Sequence, residues 1–351
     1  NRGAVALTKI DRVDDERCGE VEEEIEIAFL GTALEGSPVF PVSALTGQGI
    51  EALRTHLNSV GGTIKARPTD GNFRLGVDRS FTIVGAGVVV TGTVFSGAVA
   101  VGDNLVVSRH GTDARINVRV RGIHAQDQKS QSGLAGDRCA LNLTGPDLRL
   151  EEVGRGDWVT PTRAHNSARR IDARIRVLID EVKPLKHWTP VHVHLGASDM
   201  TGRVAILEGS EIVPGASAFV QLVLDHPIGA WHGDGLILRD QSARRTIGGG
   251  SVIDVFPPLR GRARPARLDY LKAMDNPDHG EALEALLAVT PLGVDLEKFR
   301  LARNLTSDEA KALWAYSAGI GQLGLLDAVR LPATTQKALI RAYLRKLRAD
   351  R

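Results

Sequence analysis

Cysteine is nearly absent. Cys18 and Cys139 are the only two in 351 residues, too few for a disulfide framework and without the close spacings of a zinc site, so the natural home is a reducing cytoplasm. Long apolar runs are missing as well. The longest, Ile83 to Val90, is broken by glycines and falls short of the roughly 18 residues a bilayer span needs, so no membrane segment or membrane partner is expected. The opening Asn-Arg-Gly-Ala-Val-Ala-Leu-Thr has no initiator Met and no charged-then-apolar leader, and reads as if entered within a domain, truncated at the start. What is present is ordinary globular material, 42% hydrophobic and 25% charged. That composition argues against disorder and fibre, and the length allows roughly two to four domains with real cores.

Net charge is only +2, but it is unevenly spread: residues 1–65 carry six Lys and Arg against eleven Asp and Glu, whereas residues 258–351 carry sixteen against eleven. An acidic head and a basic tail imply different partners for the two ends, with nucleic acid a reasonable match to the tail.

The hydrophobic pattern divides the chain in four. Gly3 to Leu7 and Ser37 to Val42 are strand-like, while Asp14 to Leu30 and Ile50 to Leu57 have helical spacing, a β-α-β-α alternation that predicts a parallel sheet with binding loops at its carboxyl edge. A linker is expected over residues 61–68. Short alternating strands with glycine punctuation then predict a small β-barrel over 66–163 and a second all-β block over 168–257. Pro257-Pro258 and the Arg/Pro-rich joint Arg260-Gly-Arg-Ala-Arg-Pro265 lead into helices at Leu268 to Met274, His279 to Val289, Asp295 to Leu305 and Ser307 to Ala315. Thr306 with Glu309 forms a capping box. A hairpin over Gly319 to Val329 and a last helix over Thr334 to Leu347 complete the order of a winged-helix module at 262–351.

Two loops carry the first chemical signal. Thr8-Lys9-Ile10-Asp11 follows the first strand and Ser43-Ala44-Leu45 the second. A Lys stem packs on a purine face, an Asp carboxylate accepts from the two adjacent N–H donors of guanine, and an amide near the Ala meets the base oxygen. Adenine leaves the carboxylate unpaired, so the pair discriminates through an unsatisfied acceptor. The alternative is a βα loop with a Lys and a helix-capping Asp. The phosphate half of such a site, a Gly-rich loop ending Gly-Lys-Ser/Thr with a downstream Asp for magnesium, is not found in the sequence. Gly248-Gly-Gly250 has no Lys-Ser or Lys-Thr after it and reads as a bulge or tight turn. No catalytic residue is assigned, and the phosphate chemistry is expected upstream of Asn1.

The barrels carry a resemblance. Phe81-Thr-Ile-Val-Gly-Ala-Gly-Val-Val-Val-Thr-Gly-Thr93, Ser96 to Asp103 and Gly154-Arg-Gly-Asp-Trp158 look like the second domain of EF-Tu-type translational GTPases, and Leu236 to Asp254 looks like the third. Leu75-Gly-Val-Asp-Arg-Ser-Phe-Thr82, Ile123-His-Ala-Gln-Asp-Gln128 and Ala135-Gly-Asp-Arg-Cys-Ala-Leu-Asn142 are similar to the bacterial selenocysteine-specific elongation factors, as is the attached tail. The resemblance covers nearly the whole chain. It implies the C-terminal part of an α/β P-loop GTPase domain (1–62), two EF-Tu-like barrels and an α+β winged-helix domain. The phosphate loop, the switches and the last RNA-reading winged helices of the family are missing.

The resemblance further implies a GTPase that carries selenocysteyl-tRNA to the ribosome at recoded UGA codons, reading a selenocysteine insertion hairpin in the message through the missing C-terminal region. GTP or GDP is held at the base by Thr8, Lys9, Asp11, Ser43, Ala44 and Leu45, and Mg2+ accompanies the missing phosphate half, so residues 1–351 alone are expected to be inactive. Arg79 and Arg138 match positions that hold the selenolate, with Asp78 and His124 in matching segments. Arg239, Arg244 and Arg245 match the region that meets the tRNA arm. A monomer is expected.

Blander readings stand beside these. Arg79 and Arg138 are alternatively barrel-rim residues paired with Asp78 and Asp137, and Arg239 a barrel-end ion pair. His192 and His194 share one strand face, yet no carboxylate or Cys lies at a helpful sequence spacing, so no metal site is expected. Arg260, Arg262 and Arg264 are RNA contacts or a solvated linker. The competing functions are another translational GTPase reading a different aminoacyl-tRNA, and a winged-helix regulator with a barrel sensor.

Overall fold

The computed structural model describes residues 3–32, 34–64, 67–85, 87–290, 293–319, 324–326 and 329–331. It divides into two units, Asn1–Ala66 with Leu178–Val182, and Arg67–Val177 with Lys183–Arg351.

In the first unit, strands β1 (Val5–Thr8) and β2 (Val39–Val42) pair in parallel, Thr8 opposite Val42. Helix α1 (Asp15–Phe29) starts at Asp14, whose side chain accepts from the Arg17 amide at 2.9 Å. Helix α2 (Ile50–Thr63) starts at Gly49, where φ is +73° and a Cβ would lie 2.0 Å from the Pro41 carbonyl oxygen, so only glycine fits. The helix runs through Gly61 and Gly62, which the sequence reading gave to a linker. A Cβ at either would meet nothing within 4 Å, and on such an open last turn each glycine costs only about 1 kcal/mol relative to alanine.

In the second unit the first barrel comprises β3 (Arg74–Ile83), β4 (Gly87–Ser96), β5 (Ala98–Ala100), β6 (Asn104–Ser108), β7 (Arg115–Ala125), β8 (Gln128–Ser130), β9 (Ser132–Leu134), β10 (Arg138–Thr144) and β11 (Trp158–Thr160). Its main sheet runs β10-β4-β3-β11-β6-β7-β8, and an extra β10–β7 pairing closes it on itself. Leu75, Val77, Val90, Val107 and Leu141 fill the interior. β12 (Ala168–Val177), β13 (Leu185–Lys186), β14 (Thr189–Leu195), β15 (Ser198–Ile206), β16 (Glu211–Ile212), β17 (Ser217–Ile228), β18 (Gly235–Arg239) and β19 (Thr246–Asp254) follow. Six of these close a barrel in the order β12-β17-β15-β14-β18-β19, and β13 with β16 forms a side ribbon. Gly248 and Gly250 lie inside β19, where a Cβ would meet the Arg176 and Arg174 carbonyl oxygens at 2.3 and 1.8 Å. These glycines therefore serve close strand approach; of the bulge or tight turn expected from sequence, there is a register irregularity where Leu238 and Arg239 pair with Gly248 and Thr246, and no tight turn.

The barrels meet over a buried ion pair. Arg74 and Asp234 lie 2.8 Å apart, 7% and 14% exposed, with the guanidinium 3.8 Å from the Trp231 ring centre and 4.7 Å from that of Trp158. Two charges out of water persist only because each satisfies the other.

The helical region comprises α3 (Pro265–Met274), α4 (His279–Val289), β20 (Val294–Asp295), α5 (Leu296–Ala302), α6 (Ser307–Gly319), β21 (Gly324–Leu326) and β22 (Val329–Leu331). Arg267 at its start reaches Asp172 and Asp254 of the second barrel, each at 2.6 Å, and Asn72 of the first barrel donates to the Leu305 carbonyl at 3.0 Å. The capping box forms: the Thr306 amide donates to Glu309 at 2.7 Å and the Glu309 amide to Thr306 Oγ1 at 3.2 Å. Gly319 belongs to α6 and not to a hairpin, and Val294–Asp295 adds a third strand, in the order β20-β22-β21. The helix expected over Thr334 to Leu347 lies outside the described residues.

Candidate functional site

Because β1 and β2 are neighbours in parallel, the loops after Thr8 and Val42 leave the sheet side by side. Lys9 adopts φ +66°, turning the chain into a single 3-10 turn at Ile10–Arg12. The second loop is closed on itself: the Ser43 amide donates to the Gln48 carbonyl at 3.0 Å, and the Gly47 amide to the Ser43 carbonyl at 2.9 Å. Buried Ser43 then donates Oγ to Asp11 Oδ1 at 2.5 Å. Thr8, Lys9, Asp11, Ala44 and Leu45 remain exposed around this bridge, Leu45 at 85%. Asp14, not Asp11, caps α1, which removes the helix-cap alternative for Asp11. Its second oxygen has no hydrogen-bond partner among the described residues. The donor set fits a guanine base, with a carboxylate acceptor and an ammonium stem beside an apolar loop tip; it does not fit phosphates.

A second cluster lies on the outer face of the first barrel. Arg79 pairs with Thr91, Thr91 with Ala140, and Ala140 with His124, so one row crosses four strands with its side chains on one face. Three interstrand steps of about 4.8 Å separate Arg79 from His124 by about 14 Å of backbone. Arg138 is two residues from Ala140 on that face. Asp78 joins it through an irregularity between Val77 and Arg79, and accepts from Thr91 Oγ1 at 2.8 Å. Arg138 forms a fork on Asp78, Nη2 to Oδ1 at 3.1 Å and Nη1 to Oδ2. Burial disfavours the ionised Asp78 carboxyl, but hydrogen bonds from Arg138 and Thr91, with the charges of Arg138 and Arg79, outweigh it and hold its pKa below the usual range. Asp78 in turn raises that of Arg138. Of the blander alternative, Arg79 and Arg138 paired with Asp78 and Asp137, only a pair of Arg138 with Asp78 is present among the described residues. Asp137 instead accepts from the Leu134 amide at 2.9 Å, and exposed Arg79 makes no salt bridge among the described residues. Sequence reasoning missed Thr91, whose role depends on strand register, and Asn142, whose Oδ1 is buried without a partner among the described residues.

On the second barrel, Asp240 organises the turn that carries the remaining arginines: its Oδ1 accepts from the Arg244 and Arg245 amides at 2.8 and 3.2 Å. Those bonds hold the exposed carboxyl below its ordinary pKa. Arg244 and Arg245 are exposed, while half-buried Arg239 donates to the Arg244 carbonyl at 3.2 Å and is no barrel-end ion pair among the described residues. His192 and His194 do acquire a carboxylate, contrary to the sequence expectation. Asp199, directly across from His194, lies 2.9 Å from His192 Nδ1 and 3.8 Å from His194 Nε2. Strand pairing supplied what sequence spacing hid. The described residues hold no group of three or more ligand side chains arranged for a metal. Arg262 lies near Trp188, and Arg260 and Arg264 are exposed. Cys139 is buried and its thiol pushed up to about 11 by burial, which makes it unreactive. No helix of the described residues is long and apolar enough to cross a membrane.

Two barrels of this topology, in this order, define the EF-Tu-like class of translational GTPases: residues 87–160 match the family profile for elongation factor Tu domain 2. Residues 172–259 match that of the selenocysteine-specific elongation factor β-barrel domain. The selenocysteine-specific elongation factor of Escherichia coli K12 is 36% identical over 310 residues, 88% of this chain and 47% of that protein. Its counterpart in Desulfomicrobium baculatum is 33% identical over 300 residues, 86% of this chain and 44% of that protein. Over most of its length the chain is similar to the selenocysteine-specific elongation factors, and it spans about half the length of these relatives. In fold it is similar to the crystal structure of the bacterial selenocysteine-specific elongation factor EF-Sec, with a TM-score of 0.75 at 23% identity over 99% of this chain and 54% of that one. SelB from Methanococcus maripaludis bound to the GTP analogue GppNHp gives 0.61 at 24% identity, over 73% of this chain and 60% of that one.

Proposed function

We propose that this chain forms the guanine-base, aminoacyl and tRNA-facing parts of a factor that binds GTP and selenocysteyl-tRNA and delivers it to the ribosome at recoded UGA codons. Asp11 accepts from the base, Lys9 lies along it, and Ser43 holds Asp11 in place. GTP supplies a phosphoanhydride whose cleavage releases the factor; its phosphates and Mg2+ need residues other than these, so residues 1–351 alone do not turn over GTP. The helical region, with helices backed by a three-stranded sheet, acts as a winged-helix spacer toward the message hairpin.

The observation that carries the reading is the row Arg79–Thr91–Ala140–His124 with Arg138 beside it. It sets cationic and imidazole groups around a small-residue floor. A selenol is more acidic than a thiol, whose pKa is about 8.5, so selenocysteine arrives as an anion while a seryl group is neutral. Charge-assisted hydrogen bonds favour the first, and a neutral seryl group leaves Arg79 without an anionic partner. The test is the affinity of the GTP-loaded full-length protein for selenocysteyl- and seryl-tRNA. Equal affinities favour another translational GTPase.

A further inference from the structure

The end of α5 ties three bodies together within four residues. The Ala302 carbonyl accepts from the His232 amide of the second barrel at 2.7 Å. Arg303, 5% exposed, donates through Nη2 to the Met274 and Asn276 carbonyls at 2.8 and 2.6 Å, placing a cation at the C-terminal end of α3. The Asn304 and Leu305 carbonyls both accept from Asn72 Nδ2 of the first barrel, at 3.1 and 3.0 Å. Asn304 Nδ2 in turn donates to Ser96 Oγ at 3.1 Å. Asn304 turns the chain between these bonds at φ +55°, a left-handed conformation that asparagine tolerates better than most residues.

Burial decides what these contacts are worth. Asn72 is 1% exposed and fully engaged: its Oδ1 accepts from Arg163 at 3.0 Å and its carbonyl from Ser96 Oγ at 2.7 Å. Leu271, Phe299, Ala302 and Leu305 belong to one apolar cluster with Val252 and Ile253 of the second barrel, so the helical region has no separate core of its own. On the joint, Arg262 lies over the Trp188 ring at 5.5 Å, and just after it Arg267 spans Asp172 and Asp254. Bending there strands buried donors and acceptors and opens a shared core, whereas a solvated linker bends without loss.

We propose that the joint over 257–264 is not a hinge: residues 302–305 lock the helical region across the seam of the two barrels, and the spacer is a rigid arm with a fixed direction relative to the aminoacyl row. The inference rests on the spacer reading and adds to it what sets the spacer's direction. Asn72 and Ser96 are suited to that task because they stand at the seam ends of β3 and β4, the strands that carry Arg79 and Thr91 at their other ends. Modules on a loose tether sample many separations, which lowers the effective concentration of one at the other's target. A fixed arm avoids that loss.

Spin labels at Lys129→Cys on β8 and Lys311→Cys on α6, both exposed positions, report the distance between the first barrel and the helical region of the full chain by double electron–electron resonance. Cys18→Ser removes the other accessible thiol, Cys139 being buried. Expected is one narrow distance in the parent, and at least a doubling of its width when Asn72→Ala is combined with Asn304→Gly, glycine keeping the positive φ. Far-UV circular dichroism checks that the variant is folded. A broad or double distribution in the parent overturns the proposal whatever the variant does. An unchanged narrow distance in the folded variant overturns it too, because the lock then lies elsewhere. Tight binding of a message-hairpin transcript by this chain overturns the spacer role instead, and the distance decides the rigid docking independently of it.

Discussion

Ser43 Oγ donates to Asp11 Oδ1 at 2.5 Å, joining two loops 32 residues apart in sequence. The bond fixes one carboxylate oxygen and leaves the other directed by it, so Asp11 is oriented before any base arrives. In the full-length protein Asp11→Asn is expected to shift base preference from guanine to xanthine, which has an acceptor where guanine has a donor. Ser43→Ala keeps the preference and weakens guanine nucleotide affinity several-fold. Competition between GDP and XDP checks both, and an unchanged preference in Asp11→Asn removes Asp11 from the base site.

Arg74 and Asp234 make a second prediction, about stability. Asp234→Ala leaves the Arg74 guanidinium buried between Trp158 and Trp231 without a counter-charge, at a cost of about 3–5 kcal/mol. Replacing both by Met and Leu removes the charges together and is expected to restore most of that loss. Urea unfolding of the single and double variants measures it; additive losses contradict a coupled pair.

His232 gives the pH dependence. Burial and then the Arg303 charge depress its pKa from the usual 6.5 to about 4, with His279 adding to the effect, while a bond to the Ile253 carbonyl and the Asp254 charge oppose it. The native state therefore keeps this imidazole neutral where the unfolded chain protonates it. Between pH 6.5 and 4 the unfolded state binds more protons, so stability falls as pH falls, by about 3 kcal/mol across the window. In His232→Gln that slope is expected to flatten, by denaturant titration at pH 7 and 4.5. An unchanged slope assigns the acid sensitivity to other groups.

Local pattern was legible in the sequence wherever it was local in cause. Val21, Ile25 and Phe29 announced α1, Thr306 with Glu309 announced the start of α6, and alternation announced the strands. What depended on register was not. Asp199 reaches His192 because β14 and β15 pair with His194 opposite Asp199, and no sequence spacing encodes that. Thr91 faces Asp78 for the same reason. The glycines at 248 and 250 looked like a bulge or tight turn because composition marks where a side chain is forbidden, not whether a turn or a neighbouring strand forbids it. Arg79, Arg138 and His124 were placed by resemblance, and the barrel brings them to one face. Asp78 was placed with them by resemblance and also weighed as a rim ion-pair partner, and it engages Arg138.

That partner sharpens the last prediction. Arg138 is already engaged by Asp78, whereas Arg79 makes no salt bridge among the described residues, so an incoming selenolate finds Arg79 free and must compete with Asp78 for Arg138. Arg79→Ala is therefore expected to lose at least tenfold of the preference for selenocysteyl- over seryl-tRNA, about 1.4 kcal/mol, and Arg138→Ala less. Asp78→Asn removes the competing anion and should tighten selenocysteyl-tRNA binding, with seryl-tRNA binding little changed. The fold is expected to tolerate these changes, because a pair as exposed as Arg138 with Asp78, 52% and 31%, contributes at most about 1 kcal/mol. Affinities of both tRNAs for the GTP-loaded full-length parent and the three variants decide it. Equal losses for both tRNAs would mark the arginines as general supports of the barrel rim, and weaker selenocysteyl binding in Asp78→Asn would show that Asp78 positions Arg138 for the selenolate and does not compete with it.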